Sequence, residues 1–216
     1  MPTLSIDAQL LNAQLAINNA LEDPDILADL SRFGYDEVKI SAGKDLLTQA
    51  ETLVDQQKVE YGEQYEASGA LEQARQTAAQ AYDITLKVAR VALKDNQKAR
   101  HALALDGRRK QDLAGWLGQT QTFYNNLLGQ PSLLARLANF GYDQAKLESE
   151  RALIEQVARL NEQQEGEKGD AQEATKQRDA ALEALDEWLG DFKEIAEVAL
   201  IASPQRLEKL GFGVIA

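Results

Sequence analysis

Phe33-Gly34-Tyr35-Asp36 returns as Phe140-Gly141-Tyr142-Asp143, at a shift of 107 residues. The same shift, without a gap, lays Asn18-Asn19 on Asn125-Asn126, Pro24 on Pro131 and Gln56-Gln57 on Gln163-Gln164. It also lays Gly62 on Gly169 and Val91-Ala92-Leu93 on Val198-Ala199-Leu200. Two copies fill the chain, so the pattern predicts a tandem duplication with one repeat over 1–107 and a second over 108–216. Whatever fold one copy takes, the other must take as well.

Working outward from that turn, the flanks read as helices. Long stretches rich in Ala, Leu, Glu, Gln, Lys and Arg, broken by only four prolines, predict an all-α protein. Ile6, Leu10, Ala13, Ile17 and Leu21 recur at steps of three and four, and Leu113, Leu117, Thr120, Tyr124 and Leu128 answer them. This predicts one helix of about 20 residues at the head of each repeat. Pro24 and Pro131 then open a short helix at its first turn, where the missing N–H costs nothing. Gly34 and Gly141 end it in a left-handed residue, Phe33 and Phe140 are expected to be buried beside them, and Asp36 and Asp143 cap the next helix.

That next segment is long and heptad-patterned, either a helical hairpin or one very long helix. Glu165-Gly166-Glu167-Lys168-Gly169-Asp170 carries two glycines and almost no apolar surface, which favours a hairpin tip. At the end of the chain, Pro204 to Phe212 repeats the Pro-x-x-Leu-x-x-Leu spacing of the short helix. It reads as a third partial copy that caps the second bundle, with Val214 and Ile215 behind it.

Composition narrows the chemistry. The chain has no cysteine and one histidine, His101, which excludes thiolate catalysis, Cys/His zinc sites and the paired Glu-x-x-His motifs of a di-iron bundle. His101 is expected to sit at a helix C-terminus. No glycine-rich phosphate loop occurs, and the acidic run from Glu162 to Glu173 does not follow the ligand order of a calcium-binding loop. No cofactor, metal or enzymatic activity is expected. No run of about 18 apolar residues is present, so membrane insertion is not expected and a cytoplasmic location is.

Net charge is −12, with ten basic against 17 acidic residues up to Gly107 and 13 against 18 beyond it, which argues against nucleic-acid partners. Against this background Lys94, Lys98, Arg100, His101, Arg108, Arg109 and Lys110 concentrate positive charge at the junction of the repeats. Arg108, Arg109 and Lys110 are the candidate contacts for an acidic protein partner or a second copy of the chain. The expected function is that of a structural or adaptor protein binding other macromolecules; the alternative is a carrier holding a small apolar molecule or lipid between the long helices. Gln57 and Gln164 lie on the apolar stripe. With Asn18, Asn19, Asn125 and Asn126, they are expected to form hydrogen-bonded layers that fix helix register.

Overall fold

The computed structural model describes residues 4–213; Val214 and Ile215 lie outside them. Eight helices succeed one another: α1 (Ile6–Glu22), α2 (Pro24–Ser31), α3 (Glu37–Ala92), α4 (Gln97–Ala102), α5 (Leu113–Leu128), α6 (Pro131–Ala138), α7 (Gln144–Ala199) and α8 (Pro204–Lys209). No strand occurs among the described residues. Helices α2, α3 and α4 have counterparts of the same length at the 107-residue shift in α6, α7 and α8, and α5 begins at the same shift from α1. Helix α8 is therefore the counterpart of α4 and not a further copy of α2.

Local chemistry sets the helix starts. Ser5, Asp23, Asn96 and Asp112 each accept a hydrogen bond from a backbone N–H in the first turn of the helix they precede. Asp36 and Asp143 do the same for the long helices, from Lys39 N and Lys146 N at 2.9 Å. These side chains satisfy amide groups that a helix start leaves without partners. Helices α2 and α6 end on Gly34 (φ +83°) and Gly141 (φ +81°), and the amides of Tyr35 and Tyr142 reach back to the carbonyls of Leu30 and Leu137. The same closure ends α4 at Ala104 (φ +45°) and α8 at Gly211 (φ +81°).

Two sequence expectations fail here. Phe33 and Phe140 are exposed, at 47% and 51%; in the first turn it is Tyr35, 3% exposed, that enters the core. The second failure is the hairpin. Both α3 and α7 run 56 residues without interruption, through Gly62 and Gly69 in one and Gly166 and Gly169 in the other. A glycine inside a helix costs about 1 kcal/mol relative to alanine, and burial at both ends of each long helix outweighs that.

The chain divides into two compact units, and neither coincides with the halves 1–107 and 108–216. The first comprises the residues up to Gly62 with those from Gly169 onward; the second is Glu63–Lys168. Each unit joins the head of one half (the first two helices and the first part of the long one) to the tail of the other. The first core gathers Ile17, Ile26, Leu30, Ile40 and Leu47 from one head with Leu185, Phe192 and Leu210 from the opposite tail. The second gathers Phe123, Leu127, Leu137 and Ile154 with Tyr82, Leu86, Leu93 and Leu103. Each long helix is thus anchored in two cores, which is why its glycine-containing middle stays helical.

Candidate functional site

The three candidate contacts do not share one environment. Arg108 and Lys110 are exposed, whereas Arg109 is half-buried and turned inward. Its guanidinium donates to the Tyr82 hydroxyl at 3.0 Å and to the carbonyls of Ala104, Asp106 and Gly107 at 2.7, 3.1 and 3.3 Å. Arg109 therefore ties the α4–α5 connection to the core of the second unit and leaves the surface to its two neighbours. Arg100 is also used internally, paired with Asp106 and donating to the Arg90 carbonyl. Among the described residues Lys94, Lys98, Arg108 and Lys110 are exposed and form no ion pair within 4.0 Å. His101 lies in the last turn of α4, exposed to solvent.

A second feature of the same unit was not singled out by sequence. Glu150 on α7 is 7% exposed, and its Oε2 accepts from the Thr85 hydroxyl of α3 at 2.6 Å and from the Tyr124 hydroxyl of α5 at 3.0 Å. Lys146, one turn earlier, brings its Nζ to 3.6 Å from Oε1. Burial pushes the Tyr124 hydroxyl far above the ordinary tyrosine range, and the adjacent carboxylate adds to the effect; Tyr124 is therefore a hydrogen-bond donor at any physiological pH. The Tyr82 hydroxyl is raised by burial too, although the Arg109 guanidinium pulls against it. Thr85 and Tyr124 are fully buried, and the cluster joins three helices. The signal available in the sequence was a mismatch: at the 107-residue shift, position 150 corresponds to Gly43.

That position in the first unit is built differently. Gly43 is buried under the indole of Trp188, so closely that a Cβ there would lie 2.3 Å from Cζ2. Trp188 stacks on Phe192 with ring centroids 5.1 Å apart, and Tyr35 packs against both. At the edge of the unit, α8 is clasped by charge. Arg206 reaches Asp25 at 2.6 Å and Asp29 at 2.7 Å, and Lys209 reaches Asp23 at 2.8 Å.

The repeated asparagines have one visible role. Asn19 donates to the carbonyl of Lys209 at 2.5 Å in the first unit, and Asn126 to the carbonyl of Ala102 at 2.8 Å in the second. The two bonds are the same bond at the 107-residue shift. Of the two glutamines on the stripe, Gln57 accepts from Arg178 at 3.2 Å.

Between α3 and α7 in the second unit lies a cleft of about 400 Å³ lined by Glu63, Glu66, Ala67, Ala70, Gln163 and Glu167. Its lining is carboxylate and amide with two alanines, which suits water better than an acyl chain. No helix among the described residues is long and apolar enough to cross a membrane. No protein family, curated protein or solved structure matches this chain.

Proposed function

We propose that this protein is a non-enzymatic, macromolecule-binding protein of structural or adaptor type, working in the cytoplasm and built by tandem duplication of a 107-residue helical repeat. The duplication reading is supported by the agreement of helix bounds at one constant shift and by the paired asparagine bonds. The binding reading rests on one observation: among the described residues Lys94, Lys98, Arg108 and Lys110 stay exposed and without an ion pair, in a chain of net charge −12 where carboxylates are plentiful. Cations that contribute nothing to intramolecular pairing are free to meet an acidic protein surface, and such contacts raise association rates and specificity more than affinity. The acidic lining of the α3–α7 cleft weighs against an apolar carrier.

The test neutralises the four exposed cations to glutamine and leaves Arg109 in place. Helical content and melting temperature should stay close to wild type, because exposed charges contribute little to stability. Proteins captured by the wild type from its native cells at about 0.05 M salt should be lost with the variant, and lost from the wild type itself as ionic strength rises and screening shortens to about 8 Å at 0.15 M. Equal capture by both proteins at low salt would remove this surface from the proposal.

A further inference from the structure

We propose that the two halves of the chain are keyed to each other, so that the head of one repeat accepts the tail of the other and rejects its own. The proposal rests on the duplication reading and is independent of the basic surface.

Two layers of each unit carry the key. In the core, the first head offers Gly43 and Ile17, and the second tail fills the space with Trp188 and Phe192. The second head offers Glu150 and Tyr124, and the first tail meets them with Thr85 and, at the position of Trp188, the small Ala81. Exchanging the tails breaks both matches. Glu150 against Trp188 and Phe192 would keep Tyr124 and Lys146 from its own half but lose the Thr85 hydroxyl and face bulky rings in its place, so the buried carboxylate is both less well satisfied and crowded. Gly43 against Ala81 would leave the indole's volume empty.

The rim repeats the logic in charge. The first head carries Asp23, Asp25 and Asp29, paired with Arg206 and Lys209 of the second tail. At the corresponding places the second head has Gln130, Ser132 and Arg136, and the first tail has Ala99 and Ala102. A second head closed on its own tail would set Arg136 against Arg206; a first head closed on its own tail would leave three aspartates facing alanines. The Asn19 and Asn126 bonds are common to both units and do not discriminate. Pairing is thus permitted by what the repeats share and selected by where they differ, through repulsion of the wrong match as well as attraction of the right one.

The experiment uses the full chain with a protease site at the exposed Gly107–Arg108 connection. The folded protein is cut, unfolded in urea and refolded as the mixture it yields, and the pairs are weighed by native mass spectrometry. Mixed pairs of residues 1–107 with 108–216 should make up nearly all of the dimeric species; a 1:2:1 distribution would falsify the key. In a second arm, Tyr124→Ile, Gln130→Asp, Ser132→Asp, Arg136→Asp and Glu150→Gly together give the second head the key residues of the first, and pairs of 108–216 with itself should appear. Their absence alongside normal mixed pairs would show that recognition lies elsewhere. Should the cut halves fail to reassemble, the intact chain decides. Glu150→Gly alone should lower the melting temperature by about 5 °C or more, and adding Ala81→Trp and Thr85→Phe should restore most of the loss. If the triple variant melts no higher than the single one, the match of Gly43 with Trp188 and Phe192 is not transferable and the proposal fails.

Discussion

The two units fill one helical arrangement with opposite chemistry. The first closes around an indole on a glycine, with Trp188, Phe192 and Tyr35 in mutual contact; the second closes around a carboxylate held by two hydroxyls. Aromatic packing tolerates some sliding, whereas Glu150 needs Thr85 and Tyr124 at hydrogen-bonding distance or it is costly to bury. Helices of matching bounds at the 107-residue shift thus enclose two cores of different strictness. Both units have an apolar core, and the second adds to it a buried carboxylate that must be satisfied.

That contrast can be broken most severely by writing one unit's residue into the other. Gly43→Glu should destabilise the protein by about 3–5 kcal/mol, because it overpacks Trp188 and buries a carboxylate against the indole. Urea denaturation followed at Trp188, in a Trp116→Phe background, measures the loss, and an unchanged midpoint would refute the packing described. Glu150→Gln keeps the shape and removes the charge. Its cost should be smaller, about 1–3 kcal/mol, and the midpoint read at Trp116 in a Trp188→Phe background should move more than the reverse pair.

Glycine position sharpens the comparison with the opposite sign. Gly62 and Gly169 sit inside the long helices with nothing within 4 Å of an added Cβ. Gly62→Ala and Gly169→Ala should each stabilise by about 0.5–1 kcal/mol. Lower melting temperatures for both would mean that the helices need those glycines.

The smallest effect is expected at the rim. The Lys209 hydrogen bond, with two backbone amides, holds Asp23 below its ordinary 3.8, so its contribution is complete above that value and is lost as pH falls through the lowered one. Gln130 cannot make this contribution in the second unit. Trp188 fluorescence should therefore report a loosening below about pH 4 that Asp23→Asn removes.

Features fixed within a few residues were legible in the sequence. The proline-led starts of α2 and α6, the aspartate caps of the long helices and the left-handed Gly34 and Gly141 all arise from local sterics and hydrogen bonding. Features fixed by distant residues were not. Phe33 and Tyr35 are both aromatic neighbours of the same turn, and Tyr35 turns inward because Trp188 and Phe192 wait there from the far end of the chain. The hairpin expectation failed for the same reason: glycines near position 166 look like a tip until the two cores that hold α7 at either end are known. Of the candidate contacts, Arg108 and Lys110 proved exposed. Arg109 could not be told from them without the position of Tyr82.

The way the units divide the chain also orders events during synthesis. Glu63–Lys168 is one continuous stretch and is complete as soon as it leaves the ribosome, whereas the first unit needs residues made more than 100 positions apart. Until the segment beyond Gly169 emerges, Ile17, Ile40 and Leu47 have no opposite wall to cover them. Closure of so long a loop is slow relative to local helix formation. The nascent chain therefore carries an uncovered apolar head while all of Glu63–Lys168 is made, a period in which chaperone binding or premature pairing with a neighbouring nascent chain competes with folding.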